Sequence, residues 1–376
     1  VWNLLVIILL IFLNIYVSSY KSKKIIPGKE IPQEWGQFKL KWKSYNKYQD
    51  IGKNLFSIAI ADLNKDKIND IIVLSSDGVL SALNGKNGYT LFKLNLSPST
   101  THLKLVAGEF PKIIVGSTNA RVLCISHTGK ELWKIKAPAK IIATGVSKKQ
   151  NGFNIIAGFL EGVAFIDLLK GKIKHYNTSF GSRLFSEIIT YDFNNDKTDD
   201  TIVGDTQSIY CIDGITGNIL WQRKVDYLYA GRFSLINDEN NDLYLIVPLY
   251  NGKILILNRA GAEVWGTDIN ERLVDAPITF KNKKEQACFV QSTVQGTIIC
   301  FNFEKREKLW VRVGNTNSAV KMGMVDLNYD DVPELITVDK YGKLNIIRSD
   351  NGNTIDTLSI LENTQDENIV SNIVID

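Results

Sequence analysis

Past residue 50 the chain is written in apolar runs of five to seven residues, separated by turns rich in Gly, Asn, Asp and Lys. No stretch there keeps a helical period, so strands are predicted rather than helices. In one stretch the runs fall at roughly Leu184–Tyr191, Asp200–Gly204, Ser208–Asp213 and Ile219–Val225, four strands in succession. Turns such as Asp77-Gly78, Asn84-Gly85 and Asn251-Gly252 supply residues that accept a positive φ between strands.

This unit repeats. A turn Gly is followed four residues later by a bulky ring in Gly129…Trp133, Gly217…Trp221 and Gly261…Trp265. Gly88…Phe92 carries a smaller ring, Trp310 follows Arg306, and Gly171…His175 and Gly352…Asp356 keep the Gly without the bulky ring. Positions 88, 129, 171, 217, 261, 306 and 352 thus mark seven units of 41 to 46 residues. Four strands at that spacing are the signature of a β-propeller blade. The expected fold is all-β: a seven-bladed β-propeller of four-stranded antiparallel blades over residues 51–376. One blade cannot bury both of its faces, so the recurring ring is expected to pack between blades. The ends leave an eighth blade open. Ser371–Asp376 resembles Ser57–Asp62, and Phe38–Trp42 resembles a last blade strand such as Lys130–Lys134. A chain continuing past 376 would complete such a blade with the N-terminal strand; otherwise the two ends pair with existing blades.

Three turns carry the same spaced oxygens. Asp62, Asn64, Asp66 and Asp70 stand at positions 1, 3, 5 and 9 of the first; Asp192, Asn194, Asp196 and Asp200 of the second; Asp326, Asn328, Asp330 and Glu334 of the third. Oxygen ligands at alternate positions of a tight loop suit a hard cation such as Ca²⁺. The position-7 carbonyls of Ile68, Thr198 and Val332 are assigned as a fifth ligand, giving up to three structural Ca²⁺ ions. An EF-hand is excluded: position 12 is Val73, Val203 or Thr337 instead of Glu, and strands flank the loops. Asx-type turns without metal are the alternative. Asn237–Asp242 is a degenerate version.

Residues 1–20 break the pattern. Trp2 to Tyr20 is almost wholly apolar, uncharged, and followed by Lys21, Lys23 and Lys24. A span of about 20 apolar residues fits a membrane helix, and the h-region of a signal peptide fits as well. Residues 21–50 form a polar connector whose Phe38–Trp42 piece could close the propeller as a strand. The lysines after the span would place the remainder in the cytoplasm. Weak calcium loops fill where Ca²⁺ is millimolar, so an extracytoplasmic propeller behind a single-pass anchor is the expectation.

Composition adds little beyond this. The chain has 376 residues and a formal net charge of +4, with Lys and Asp interspersed and no basic block, which gives no footprint for nucleic acid.

Tyr210-Cys-Ile-Asp213-Gly-Ile-Thr216-Gly217-Asn-Ile-Leu-Trp221 resembles the repeat of the PQQ-like propeller superfamily. The aspartate loops resemble FG-GAP/VCBS repeats, the calcium-loop blades of integrin α-chain heads. Position 6 is commonly Gly in that family and is Lys67, Lys197 or Asp331 here. The resemblance implies an adhesion or protein-interaction platform, or an envelope-assembly scaffold as some PQQ-like propellers are. It also suggests PQQ-dependent dehydrogenases, which use adjacent cysteines, and no Cys-Cys occurs here.

Cys124, Cys211 and Cys300 take one strand position in blades two, four and six, as small buried side chains would. Cys288 and Cys300 lie on neighbouring strands, where one disulfide could form. None of His102, His127 and His175 accompanies a nucleophile, and no phosphate loop or nucleophile elbow is present. The expected function is therefore non-catalytic: a membrane-anchored, calcium-stabilised platform for a protein partner at the membrane surface. The alternatives are the envelope scaffold and a carbohydrate-active lyase or glycosidase with acids at the propeller centre.

Overall fold

The computed structural model describes residues 55–359 apart from 185–186, 227–231, 274, 315–319, 329 and 340–342. The expected anchor, connector, closing strand and eighth-blade strand lie outside the described residues. Among the described residues no helix is long and apolar enough to cross a membrane.

Seven four-stranded antiparallel sheets make up the described chain. Blade 1 holds β1 (Leu55–Ala61), β2 (Asp70–Ser75), β3 (Val79–Leu83) and β4 (Thr90–Asn95). Blade 2 holds β5 (Thr100–Val106), β6 (Lys112–Ser117), β7 (Arg121–Ser126) and β8 (Glu131–Lys136). In blade 3 come β9 (Ile141–Lys149), β10 (Gly152–Phe159), β11 (Gly162–Asp167) and β12 (Lys172–Asn177). Blade 4 has β13 (Ile189–Tyr191), β14 (Asp200–Gly204), β15 (Ser208–Ile212) and β16 (Ile219–Lys224). Blade 5 has β17 (Ser234–Asn237), β18 (Leu243–Pro248), β19 (Lys253–Asn258) and β20 (Glu263–Asp268). Blade 6 runs β21 (Ile278–Lys281), β22 (Ala287–Ser292), β23 (Ile298–Asn302) and β24 (Glu307–Arg312). Blade 7 runs β25 (Lys321–Val325), β26 (Glu334–Val338), β27 (Lys343–Arg348) and β28 (Thr354–Ser359). Strands follow chain order in every sheet, the architecture of a seven-bladed β-propeller.

Burial explains the runs. The second strand of a blade is covered on both faces, as in Asp70–Ser75, and reads as continuous Ile and Val. The fourth strand alternates between exposed and half-buried positions, as in Glu131–Lys136, because only one face meets a neighbour. Apolar clusters sit between successive blades. One joins Leu74 and Leu80 of blade 1 to Ile113 and Val115 of blade 2, and another joins Val290 and Cys300 of blade 6 to Leu335 and Ile347 of blade 7.

The Gly and the ring of one unit do not meet each other; Gly129, Gly171, Gly217, Gly261 and Gly352 each face the ring of the blade before. A Cβ on Gly171 would lie 2.7 Å from Trp133, on Gly261 2.7 Å from Trp221, and on Gly352 2.8 Å from Trp310. Gly129 meets Phe92 and Gly217 meets His175 in the same way. The indole N–H of Trp133, Trp221 and Trp310 then donates to the carbonyl of Leu168, Arg259 and Ser349 on the following blade. Inter-blade packing is thus the role of the recurring ring.

One expected strand bound is corrected, and the expectation of buried cysteines holds over the alternative of a disulfide. The first strand of blade 4 spans Ile189–Tyr191 instead of starting near residue 184. No disulfide joins Cys288 and Cys300, since all four cysteines are free and buried. The register explains this: Cys300 pairs with Val290, and Cys288 with Asn302.

Candidate functional site

Each aspartate loop joins the first strand of its blade to the second, in blades 1, 4 and 7. The position-1 carboxylate is a backbone acceptor. Asp192 takes the N–H groups of Asp196 and Lys197 at 3.0 and 2.9 Å, and Asp62 those of Asp66 and Lys67 at 3.2 and 2.8 Å. Asp326 does the same for Asp330 and Asp331 at 3.3 and 3.0 Å. Position 3 accepts from position 5, and position 5 from position 7, in all three loops. Position 6 is left-handed, with φ of 66° at Lys67, 70° at Lys197 and 64° at Asp331. The chain therefore keeps the shape of a glycine-bearing loop at about 1–2 kcal/mol of backbone strain per residue.

Position 9 anchors the loop to the sheet. Asp200 accepts from Phe193 and Asn194 at 2.9 and 3.2 Å and from Gly214, across the blade, at 3.0 Å. Asp70 accepts from Leu63 and Gly85, and Glu334 from Leu327. Burial raises all three: Asp70 above the usual carboxylate range, Asp200 to about 6 and Glu334 to about 7. Nearby carboxylates add to it, Asp196 for Asp200 and Asp330 for Glu334.

Beside position 9 the three loops diverge. The residue four before the turn Gly is Asp213 in blade 4, Asn84 in blade 1 and Arg348 in blade 7. In blade 4, carboxylate oxygens of Asp196, Asp200 and Asp213 lie within 4.8 Å of one another, and Asn194 Nδ2 donates to both Asp196 and Asp213 at 2.9 Å. In blade 7, Arg348 is the cross-strand partner of Glu334, and Lys283 stands 3.7 Å from Asp330. Carboxylates crowded together need a counter-charge. Blade 7 has Lys283 beside Asp330, while its Arg348 guanidinium is held by Asp350 at 3.0 and 2.7 Å; blade 4 gathers three carboxylates, hard oxygens of the kind Ca²⁺ takes. Asp213 was not among the expected ligands, because it arrives from a different strand of the blade. The Asn237–Asp242 stretch closes as a short hairpin turn, with Asp238 accepting from Asp242 at 2.8 Å, and forms no nine-residue loop.

The innermost strands surround an axial cavity of about 520 Å³. Glu187, Arg232, Asp275 and Lys321 line one arc of it; Ile58, Leu103, Lys104 and Leu105 face them. Asp275 is the centre of the charged arc. Both of its oxygens accept from Lys321 Nζ at 3.0 Å, and Arg232 Nη1 donates to it as well. Arg232 Nε also lies 3.7 Å from Glu187. Sequence patterns gave no sign of this cluster, whose members sit on separate blades.

Burial pushes the Cys124 and Cys288 thiols up to about 11 and raises Cys211 and Cys300 further. These thiols are packing groups, not nucleophiles.

Residues 205–375 match the profile of the family described as outer membrane protein assembly factor BamB. That stretch begins in blade 4 and takes in blades 5 to 7. No curated protein matches the chain in sequence. Among solved structures, BamB from Moraxella catarrhalis is 15% identical with a TM-score of 0.59, covering 81% of this chain and 88% of its own. Sqt1 from Saccharomyces cerevisiae is 12% identical with a TM-score of 0.66, covering 83% and 86%. BBS1N, solved in complex with ARL6DN, is 13% identical with a TM-score of 0.57, covering 81% and 95%. At these identities the likeness is one of fold. The PQQ-like resemblance is thereby supported; the FG-GAP likeness rests on the loops alone.

Proposed function

We propose that this propeller is a non-catalytic scaffold that holds protein partners, of the envelope-assembly kind, and that Ca²⁺ in the blade-4 and blade-1 loops stiffens it. The observation that carries the reading is the match of residues 205–375 to the BamB family. It favours an assembly scaffold over an adhesion platform, for which only the FG-GAP likeness of the loops speaks. Anchoring through residues 1–20 and an extracytoplasmic position belong to the same proposal.

Two features support the absence of catalysis. An acid–base pair needs carboxyl groups free to exchange protons with substrate. In the axial cavity Asp275 is held by two cations, and Glu187 faces one of them. Among the described residues the buried thiols and the His residues form no nucleophile–base pair. Fold alone would not decide this.

Capture of the tagged full-length chain from detergent-solubilised native membranes, with quantitative mass spectrometry, tests the reading. Envelope-assembly proteins should be recovered with it in constant ratio. Recovery of the chain alone, across repeats and detergents, would refute the scaffold.

A further inference from the structure

The axial cavity has a chemistry that a purely structural hub does not need. Glu187, Arg232 and Asp275 lie two or three residues before β13, β17 and β21, and Lys321 is the first residue of β25. They stand together at one end of the bore, spread over blades 4 to 7. Ile58, Ile60, Leu103 and Leu105 of blades 1 and 2 give the lining an apolar side, interrupted by Ser57 and the exposed Lys104.

Cations outnumber carboxylates: Lys104, Arg232 and Lys321 against Glu187 and Asp275. Donors are left over as well. Lys321 spends its bonds on the single carboxylate of Asp275, and Arg232 turns Nη1 to that carboxylate and Nε towards Glu187. Among the described residues neither Arg232 Nη2 nor the Lys104 ammonium has a hydrogen-bond partner, and that ammonium forms no ion pair. An ammonium carries three donors and a guanidinium five. The side chains of Asp275, Lys321 and Arg232 are 15%, 22% and 34% exposed, so a ligand reaching them is screened less than at an open surface.

We propose that the axial cavity binds an amphipathic monocarboxylate. Its carboxylate would sit between Arg232, Lys321 and Lys104, and its apolar body against Ile58, Leu103 and Leu105. Asp275 holds the two cations in place while the site is empty and competes with the ligand for them. The ligand is either a free organic acid or the C-terminal carboxylate of an extended peptide, which share this chemistry. The site is independent of the calcium loops and of the scaffold reading.

Calorimetric titration of the full-length chain at low ionic strength tests this with hexanoate, hexanol, and a short apolar peptide with a free or amidated C-terminus. Hexanoate or the free-acid peptide should bind, and hexanol and the amide should not. Tighter binding of the peptide assigns a peptide ligand; tighter binding of hexanoate assigns a free acid. Lys321→Gln should weaken binding at least tenfold, and the exposed Lys104→Gln several-fold without altering the fold. Asp275→Asn, which removes the competing charge, should strengthen binding several-fold. Absence of binding by every carboxylate, equal binding of hexanol, or weaker binding by a folded Asp275→Asn chain would overturn the proposal.

Discussion

Substituting Gly171 by Ala puts a methyl group where two blades meet. At Gly171 the backbone is left-handed, with φ of 59°, and a Cβ would lie 2.7 Å from Trp133 Cγ and 2.8 Å from Cδ2. Holding a non-glycine residue in that conformation costs about 1–2 kcal/mol. Forcing a methyl into a packed contact costs about 1–3 kcal/mol more. The lower entropy of the unfolded Ala chain offsets roughly 0.4–1 kcal/mol. The net loss is about 2–4 kcal/mol, or roughly 3–6 °C in Tm for a domain of this size. Trp133 cannot swing away freely, because its indole N–H is bonded to Leu168 at 2.7 Å. Thermal unfolding followed by circular dichroism reads the loss. A double-mutant cycle with Trp133→Ala separates its parts: once the ring is gone, Gly171→Ala should cost only the backbone share. Arg306 occupies the same turn position in blade 6 with φ of 55°. Arg306→Gly should therefore leave Tm within roughly 3 °C, since strain relief and unfolded-chain entropy oppose each other. A Gly171→Ala protein that melts within about 2 °C of the parent would refute the Gly-on-ring account of the blade contacts.

Calcium should raise Tm relative to EDTA, by about 2.7 kcal/mol of stability at a hundredfold excess over Kd. Asp213→Asn should remove more of that gain than Asn84→Ala, and no difference between Ca²⁺ and EDTA would remove the ion from the account. In EDTA, Asp200 and Glu334 carry raised values of about 6 and 7, so the folded chain binds more protons than the unfolded one. Their contribution is then highest at pH below the ordinary carboxylate range and is lost as pH rises through 6 to 7. Tm in EDTA should fall over that window, and Glu334→Gln should flatten the fall; a flat parent profile contradicts the assignment. Native thiol titration should label none of Cys124, Cys211, Cys288 and Cys300 rapidly, and all of them in denaturant. A fast-reacting thiol in the folded chain would contradict their burial.

Much of the fold was legible because its period is short. Apolar runs, turn glycines and rings recur within each unit, so the seven described blades and their strand order follow from local spacing. What the spacing could not show is the partner. Gly171 and Trp133 are 38 residues apart in sequence, so they look like separate features until the blades are stacked. The aspartate loops were legible as nine-residue patterns, yet Asp213, which completes the blade-4 carboxylate cluster, enters from another strand. The hub was hidden for the same reason. Arg232 and Asp275 are separated by 43 residues, and Asp275 and Lys321 by 46. Those separations match the repeat length, which is the one signal that could have brought these charged residues together.

Depletion of the chain in its own cell, followed by quantitative proteomics of the envelope, tests the central claim most directly. A scaffold for outer membrane protein assembly predicts a selective fall in outer membrane proteins, restored by the parent chain and poorly by the destabilised Gly171→Ala form. An envelope of unchanged protein composition would contradict it.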